Sequence, residues 1–499
     1  MLTPPIALKT DPLKNHYYII TVIISSMLIW IPFKIIYPYP FITIDSYYYI
    51  GAAYENANAG SWPIGYSKFI RLVGFISHSH LLLVTIQYLI LQASFLYFFL
   101  TIRRLFNLSK LAINLLFAFL FFNPIFIIGS NHVMSDILFC SLAICWICQL
   151  LWILKQPKLY MLITQAVLLT TIFTIRYTAL YFPLFSVIVL LISCQPAWRK
   201  CLGILLTFAI LLSFIRFTRI EMEKVGGIRQ FSSAAGWKQA SNALYMYVHV
   251  FKKDNKPVPE KFKILHQLTR NYFKGPHTPV DLYHIDQEFT TGSFYVAAYE
   301  SPLMRYLRIK KGENADVFEF KNIAPFGPLF NAYGTYLITR HPLAYINYVV
   351  LPDIVSYLIP FPEIYGTPND LYYLWSNHLG KMAKSWFNLS SVSIPESSIR
   401  NRGIILSPYP MLFTIIHLIF VITFLIFITF KYNKDLDKYS QYAYILLATI
   451  CIGNFIFTVL SASSVLRFQF TFIILEFTIS LISINQIIAG KNNSNLSVP

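Results

Sequence analysis

Tyr17-Tyr-Ile-Ile-Thr-Val-Ile-Ile-Ser-Ser-Met-Leu-Ile-Trp-Ile-Pro-Phe-Lys-Ile-Ile36 carries one charge, Lys34, close to its end. As a helix rising 1.5 Å per residue it reaches about 30 Å, the thickness of a bilayer's hydrocarbon core. Inside lipid no water pairs with backbone N–H and C=O groups, so a spanning run must be helical. Similar runs follow at 81–101, 111–128, 137–154, 159–174, 178–194, 202–218, 409–430, 441–460 and 468–487. Only 12% of the 499 residues are charged, against about 25% in soluble chains. The sequence therefore predicts an all-α polytopic membrane protein of about ten to twelve transmembrane helices, with interfacial helices and one large non-cytoplasmic loop region. Lys9 and Lys14 precede the first run and no small-residue cleavage site lies before it, so it is expected to be retained.

Lysine and arginine in the short loops set the orientation. With the N-terminus inside, the inner loops hold Arg103, Arg104 and Lys110; Lys155 and Lys158; Arg199 and Lys200; Lys431, Lys434 and Lys438; and Lys491. The short outer loops hold only Arg176 and Arg467. The chain then divides into an N-terminal transmembrane module at 1–218 with an outer loop at 37–80, a large outer region at 219–408, and a C-terminal module at 409–499. The outer region contains an apolar stretch at 342–360, interrupted by Pro352 and Asp353. Spanning alone it would turn the lysine-rich 431–438 loop outward, so an interfacial or re-entrant helix is expected there. A second helix returning within 361–408 would also restore the parity. Segment 371–387 mixes aromatics with lysines and reads as an amphipathic helix on the membrane surface.

The net charge of +18 fits cytoplasmic anchoring and anionic lipid better than nucleic acid. Surplus lysine that merely solvates the loops explains part of it equally well. Cys140, Cys145, Cys148, Cys194, Cys201 and Cys451 all lie in or beside apolar runs, which argues against a redox or metal motif. No phosphate-binding glycine loop, dinucleotide fingerprint or serine nucleophile elbow occurs. No histidine pair has metal-ligand spacing. A donor would have to arrive through the membrane.

Asp45, in Phe41-Ile-Thr-Ile-Asp-Ser-Tyr-Tyr-Tyr49, is a carboxylate just outside the first span. An interfacial aromatic belt explains the tyrosines but not the acid. Asp45 therefore reads as a catalytic base facing a lipid-borne substrate. Asp136 opens the fourth span in Gly129-Ser-Asn-His-Val-Met-Ser-Asp136. It is either a helix N-cap or a second acid that shares a metal or binds a sugar. His132 beside it could assist, although a lone histidine is commonly a plain loop residue. Arg176 and Arg467 sit at outer helix ends, where arginine either grips phosphate through its planar fork or snorkels. Glu476 lies about halfway down the last span, where pairing with a neighbouring helix is the plain reading.

These features together resemble the GT-C superfamily of membrane glycosyltransferases, including its protein O-mannosyltransferase and aminoarabinose-transferase branches. The resemblance runs through Asp45-Ser-x-x-Tyr49, Trp62-Pro-Ile-Gly-Tyr66, Ser135-Asp136, Arg176, Arg340-His-Pro-Leu-Ala-Tyr345 and Arg467-Phe468. It implies an inverting transfer of a sugar from a polyprenyl-phosphate carrier to a glycan, lipid or protein acceptor on the non-cytoplasmic face. By that resemblance Asp45 is the general base and Asp136 a supporting acid. Arg176 and Arg467 hold the carrier phosphate, and Tyr49, Tyr66, His132 and Arg340 contact substrate. No cofactor is fixed by it: a divalent cation on Asp45 and Asp136 stays open, since Ser46 follows Asp45 where an acidic neighbour would favour metal. The location implied is a bacterial inner membrane with the site on the periplasmic face. Two other classes share the layout: a transporter or flippase, which internal repeats would mark, and an O-antigen polymerase or ligase, which relies on loop arginines. Loss of transfer on removing the Asp45 carboxylate separates them.

Overall fold

The computed structural model describes residues 12–275, 292, 294–313, 315, 319–361, 378–389, 396–432, 436–461 and 464–495. Lys9, Pro276, Lys434 and segment 371–377 lie outside the described residues. Apart from two isolated bridges, the regular structure among the described residues is helical.

The N-terminal bundle begins with α1 (Pro12–Ile36), followed by two short helices, α2 (Ile44–Tyr54) and α3 (Gly65–Gly74). Then come α4 (His80–Leu105), α5 (Lys110–Phe121), α6 (Pro124–Ser130), α7 (Ser135–Lys155), α8 (Leu159–Ile175), α9 (Phe182–Ile192) and α10 (Ala197–Gly226). Eight helices among the described residues are long and apolar enough to cross a membrane. Two shorter apolar helices, Leu159–Ile175 and Tyr177–Ile192, stand at the fifth and sixth expected spans. The bundle turns apolar side chains outward: Ile20, Ile24, Leu28 and Ile35 of α1 are all exposed. An apolar face of that size is costly in water and neutral against lipid tails. The protein is a multi-pass membrane protein.

The third expected span, 111–128, falls in one of those eight helices, Lys110–Ser130, which is built of α5 and α6 end to end. It breaks before Pro124, whose ring cannot supply a helical N–H. The Asn123 side chain accepts from Ile125 N–H at 3.3 Å and from the Tyr409 hydroxyl at 2.5 Å, so the break is capped from within and from a distant helix. The seventh run is longer than its apolar core suggests. At 30 residues α10 is about 45 Å long. It ends where Gly227 takes φ +73°, a left-handed stop that side chains resist.

Past α10 the chain builds a second core from α11 (Ser233–Val250), α12 (Lys263–Lys274), α13 (Pro302–Lys311) and α14 (Gly327–Arg340). Glycines let α11 and α14 meet backbone to backbone. A Cβ on Gly236 would stand 2.0 Å from the Gly327 carbonyl oxygen, and one on Gly334 2.6 Å from that of Gln239. Gly236→Ala is expected to cost about 1–3 kcal/mol through this overpacking. Thermal melting of the purified protein reads it, and an unchanged midpoint would show that the crossing gives way.

Pro342–Tyr345, a π-helical turn Ile346–Val350 and α15 (Leu351–Leu358) run on as one rod. This is the 342–360 stretch. Leu343, Leu351 and Val355 are exposed on it, whereas Asp353 and Tyr357 are buried. The Leu358 carbonyl accepts from Thr414 at 2.8 Å, and the Tyr357 carbonyl from Gln469 at 2.7 Å. Its far end is therefore seated on the C-terminal helices. Of the 371–387 segment, α16 (His378–Trp386) is described and packs on α2 and α3, with Trp386 against Gly74. The chain closes with α17 (Glu396–Leu406), α18 (Tyr409–Thr429), α19 (Lys438–Ser461) and α20 (Phe470–Asn495).

The short loops gather at two ends of the bundle. At one end Lys155 donates to Arg104 O at 3.1 Å, Ser440 to Leu105 O at 2.5 Å, and Asn485 accepts from Ser109 N–H at 2.8 Å. The loops bearing Asp45, Asp136, Arg176 and Arg467 meet at the other.

Candidate functional site

The loop after the first span, at 37–43, is tied to the loop at 131–134 by backbone. Phe41 N–H donates to Asn131 O at 2.8 Å, and Phe41 O accepts from Val133 N–H at 3.0 Å. Lys34, at the end of the first span, donates to Asn131 Oδ1 at 2.7 Å, and Asn131 Nδ2 donates to Tyr39 O at 3.1 Å. From below, Gln87 Nε2 donates to Ser130 O at 3.1 Å and His132 O at 3.0 Å. These bonds fix where α2 and α7 start. The Ser46 hydroxyl accepts from Thr43 N–H at 2.9 Å, half of a capping box. That sets Asp45 in the first turn of α2, where the helix dipole favours a carboxylate.

Four residues far apart in sequence then converge. Arg467 Nη2 lies 3.4 Å from Asp45 Oδ2, and Arg467 Nη1 lies 3.2 Å from Asp136 Oδ2. Arg176 Nη1 pairs with the other Asp136 oxygen. The Phe468 ring faces both guanidiniums, at 4.4 Å from Arg176 and 4.8 Å from Arg467. Asp136 is not an N-cap: Met134 holds that position without a side-chain bond, and the Asp136 carboxylate turns to the arginines instead. Its side chain is 4% exposed, that of Asp45 29%. Asp45 is thus the carboxylate an incoming group can reach. Asp136 holds the arginines.

The remaining sequence candidates divide. Tyr49 and Tyr66 are buried and meet edge to face at 4.9 Å. The Tyr49 hydroxyl sits 3.1 Å from Ser135 Oγ, while Tyr66 donates to Gln87. Burial first, then the Asp45 charge, pushes the Tyr49 phenol up to about 12, so it stays protonated. Both rings brace the loop from behind. His132 is buried beside the cluster. Arg340 belongs elsewhere: it pairs with Asp254 in the second core, where His341 Nε2 and the Tyr247 hydroxyl each lie 3.2 Å from Asp254 Oδ2. The structure does not bring Arg340 to Asp45.

Burial, then the charges of Arg467 and Arg402, push the His132 imidazole down to about 3. A histidine in the unfolded chain titrates near ~6.5. Between those values the unfolded chain binds the proton and the folded one does not, so stability falls with falling pH by up to about 1.4 kcal/mol per unit. Thermal melting from about pH 6.5 to 4.5 is expected to show a shallower acid slope in His132→Asn than in wild type. Equal slopes would remove His132 as the sensitive group.

Arg402 was not singled out in the sequence. It is buried on α17, 4.1 Å above the Phe41 ring. Its only signal was a charge at the mouth of an apolar run. Beside Arg467 lies a small apolar crevice of about 20 Å³, walled by Phe41, Ile125, Ile128, Leu406 and Phe470. Asp45 and Asp136 are not an open carboxylate pair in this structure. The Arg467 guanidinium already bridges them, and among the described residues no three His, Cys, Asp or Glu side chains converge as a metal set. Comparison with known proteins returns no matching family model, no matching curated protein and no matching solved structure.

Proposed function

We propose that the protein is a GT-C-type, inverting glycosyltransferase that moves a sugar from a polyprenyl-phosphate carrier to a glycan, lipid or protein acceptor on the non-cytoplasmic face. About ten to twelve spans carry the site at their outer ends, in a bacterial inner membrane. The observation that carries the reading is the convergence of Asp45, Asp136, Arg176 and Arg467 at one end of the bundle. Two guanidiniums beside a reachable carboxylate match an anionic head group and a hydroxyl acceptor.

In this scheme the carrier phosphate draws Arg467 away from Asp45, whose contact at 3.4 Å is the looser of the two that Arg467 makes. The freed Asp45 carboxylate accepts the proton of the acceptor hydroxyl. That oxygen forms the new bond to the anomeric carbon from the face opposite the phosphate. The sugar–phosphate bond breaks, and Arg176 and Arg467 stabilise the departing lipid phosphate. No metal enters the scheme.

The test is transfer of radiolabelled sugar from synthetic polyprenyl-phosphate donors by purified protein in lipid, compared between wild type and Asp45→Asn. Transfer by wild type and its loss in the variant support both the class and the base. Transfer that survives in the variant moves the base elsewhere. Energised movement of lipid-linked sugar without transfer would favour a flippase.

A further inference from the structure

Glu476 and His417 form a buried ionisable pair inside the bundle, and the scheme above does not use it. His417 lies on α18 and Glu476 on α20, each 3% exposed at the side chain. His417 Nδ1 is 2.5 Å from Glu476 Oε2, and His417 Nε2 is 3.1 Å from Gln469 Oε1. Gln469 closes the one-turn 3₁₀ segment Leu466–Gln469, two residues from Arg467. Its amide nitrogen donates to Tyr357 O at 2.7 Å and to Ser464 Oγ at 2.9 Å. The Leu466 N–H donates to Phe361 O at 3.1 Å, which ties the same segment to the end of the 342–360 rod.

The donor inventory orders this chain. A backbone carbonyl only accepts, so the Gln469 NH2 must face Tyr357 O, and its Oε1 must face His417. An amide oxygen only accepts, so His417 Nε2 must carry a hydrogen. Nδ1 and the Glu476 carboxyl then share one proton between them. Both ways of placing it leave the pair neutral overall, which suits a site shut off from water.

We infer that His417, oriented by Glu476, is a positioning residue for Arg467: it holds Gln469, and Gln469 holds the turn from which Arg467 reaches Asp45 and Asp136. The inference rests on the reading of Arg467 as a phosphate ligand. A clamp and a proton relay make opposite demands on position 476. A clamp needs only a hydrogen-bond partner for Nδ1, which a glutamine NH2 supplies. A relay needs an acid.

The experiment measures binding of undecaprenyl phosphate to the full-length protein in nanodiscs, alongside ¹⁵N NMR of the His417 imidazole and the Arg467 guanidinium. Displacing Arg467 is expected to weaken binding by about tenfold to a hundredfold in His417→Phe. His417→Phe combined with Arg467→Gln is expected to bind no worse than Arg467→Gln alone, since both remove one contact. Glu476→Gln is expected to bind like wild type, with Nε2 still protonated. Gln469→Ala replaces His417→Phe should the latter not fold. Weak binding in Glu476→Gln, wild-type binding in His417→Phe, or additive losses in the double variant would overturn the clamp. If wild type binds no undecaprenyl phosphate, the carrier reading falls by itself. The clamp is then judged by the Arg467 resonances, which must move in His417→Phe.

Discussion

Asp45→Asn is expected to lower the turnover of sugar transfer by about 10²–10⁴-fold, the range of a positioned general base. Stability is expected to change little. Asparagine keeps the shape of aspartate and still offers an oxygen to Arg467. The lost ion pair is loose and its carboxylate part-exposed, so it is worth no more than about 1 kcal/mol. The loss is expected in kcat, with donor KM nearly unchanged, because the amide cannot take a proton but leaves the phosphate grip in place. Single-turnover transfer in lipid vesicles, with melting of the same samples, separates the two effects. A variant that melts like wild type and transfers like wild type would strip Asp45 of its role.

Asp136→Ala is expected to behave in the opposite way and lose the fold first. Its carboxylate is the shared partner of Arg176 and Arg467. Removing it takes the carboxylate from Arg176 and leaves Arg467 with the looser contact to Asp45. Breaking a buried pair from one side costs about 3–5 kcal/mol. A large drop in melting temperature is therefore expected, with transfer lost because both phosphate ligands are released. Asp136→Ala combined with Arg176→Met is expected to regain part of the stability, since it removes one of the stranded charges, and none of the activity. Melting curves for the two single variants and the double variant decide this. A single Asp136→Ala variant as stable as wild type would mean that water or another acid neutralises the arginines.

Much of the helical layout follows from composition. Apolar runs of about 20 residues must close their own hydrogen bonds in lipid, so helices at 17–36 or 441–460 need no partner to specify them. The sidedness of the loops is equally local, because it depends on counting lysines and arginines. Asp45 stood out for a related reason: an acid next to a span has few structural uses. The break at Pro124 was not read from the run 111–128, and its cap from Tyr409 lies far outside that run.

The use made of each charge was decided by packing. Asp136 alone reads as a helix cap as readily as an ion-pair partner, and Arg467, 331 positions away, settles which. Arg340 matches the same family pattern as Arg467, yet it turns to Asp254 in a separate core. Glu476 shows only that a carboxylate sits in a span, and its partner arrives on α18 from 59 positions before it. The reason is common to all three. Helix formation in a bilayer is set by backbone hydrogen bonds within each run, which sequence determines by itself. Which side chains meet depends on how those helices pack, and that only the tertiary structure decides.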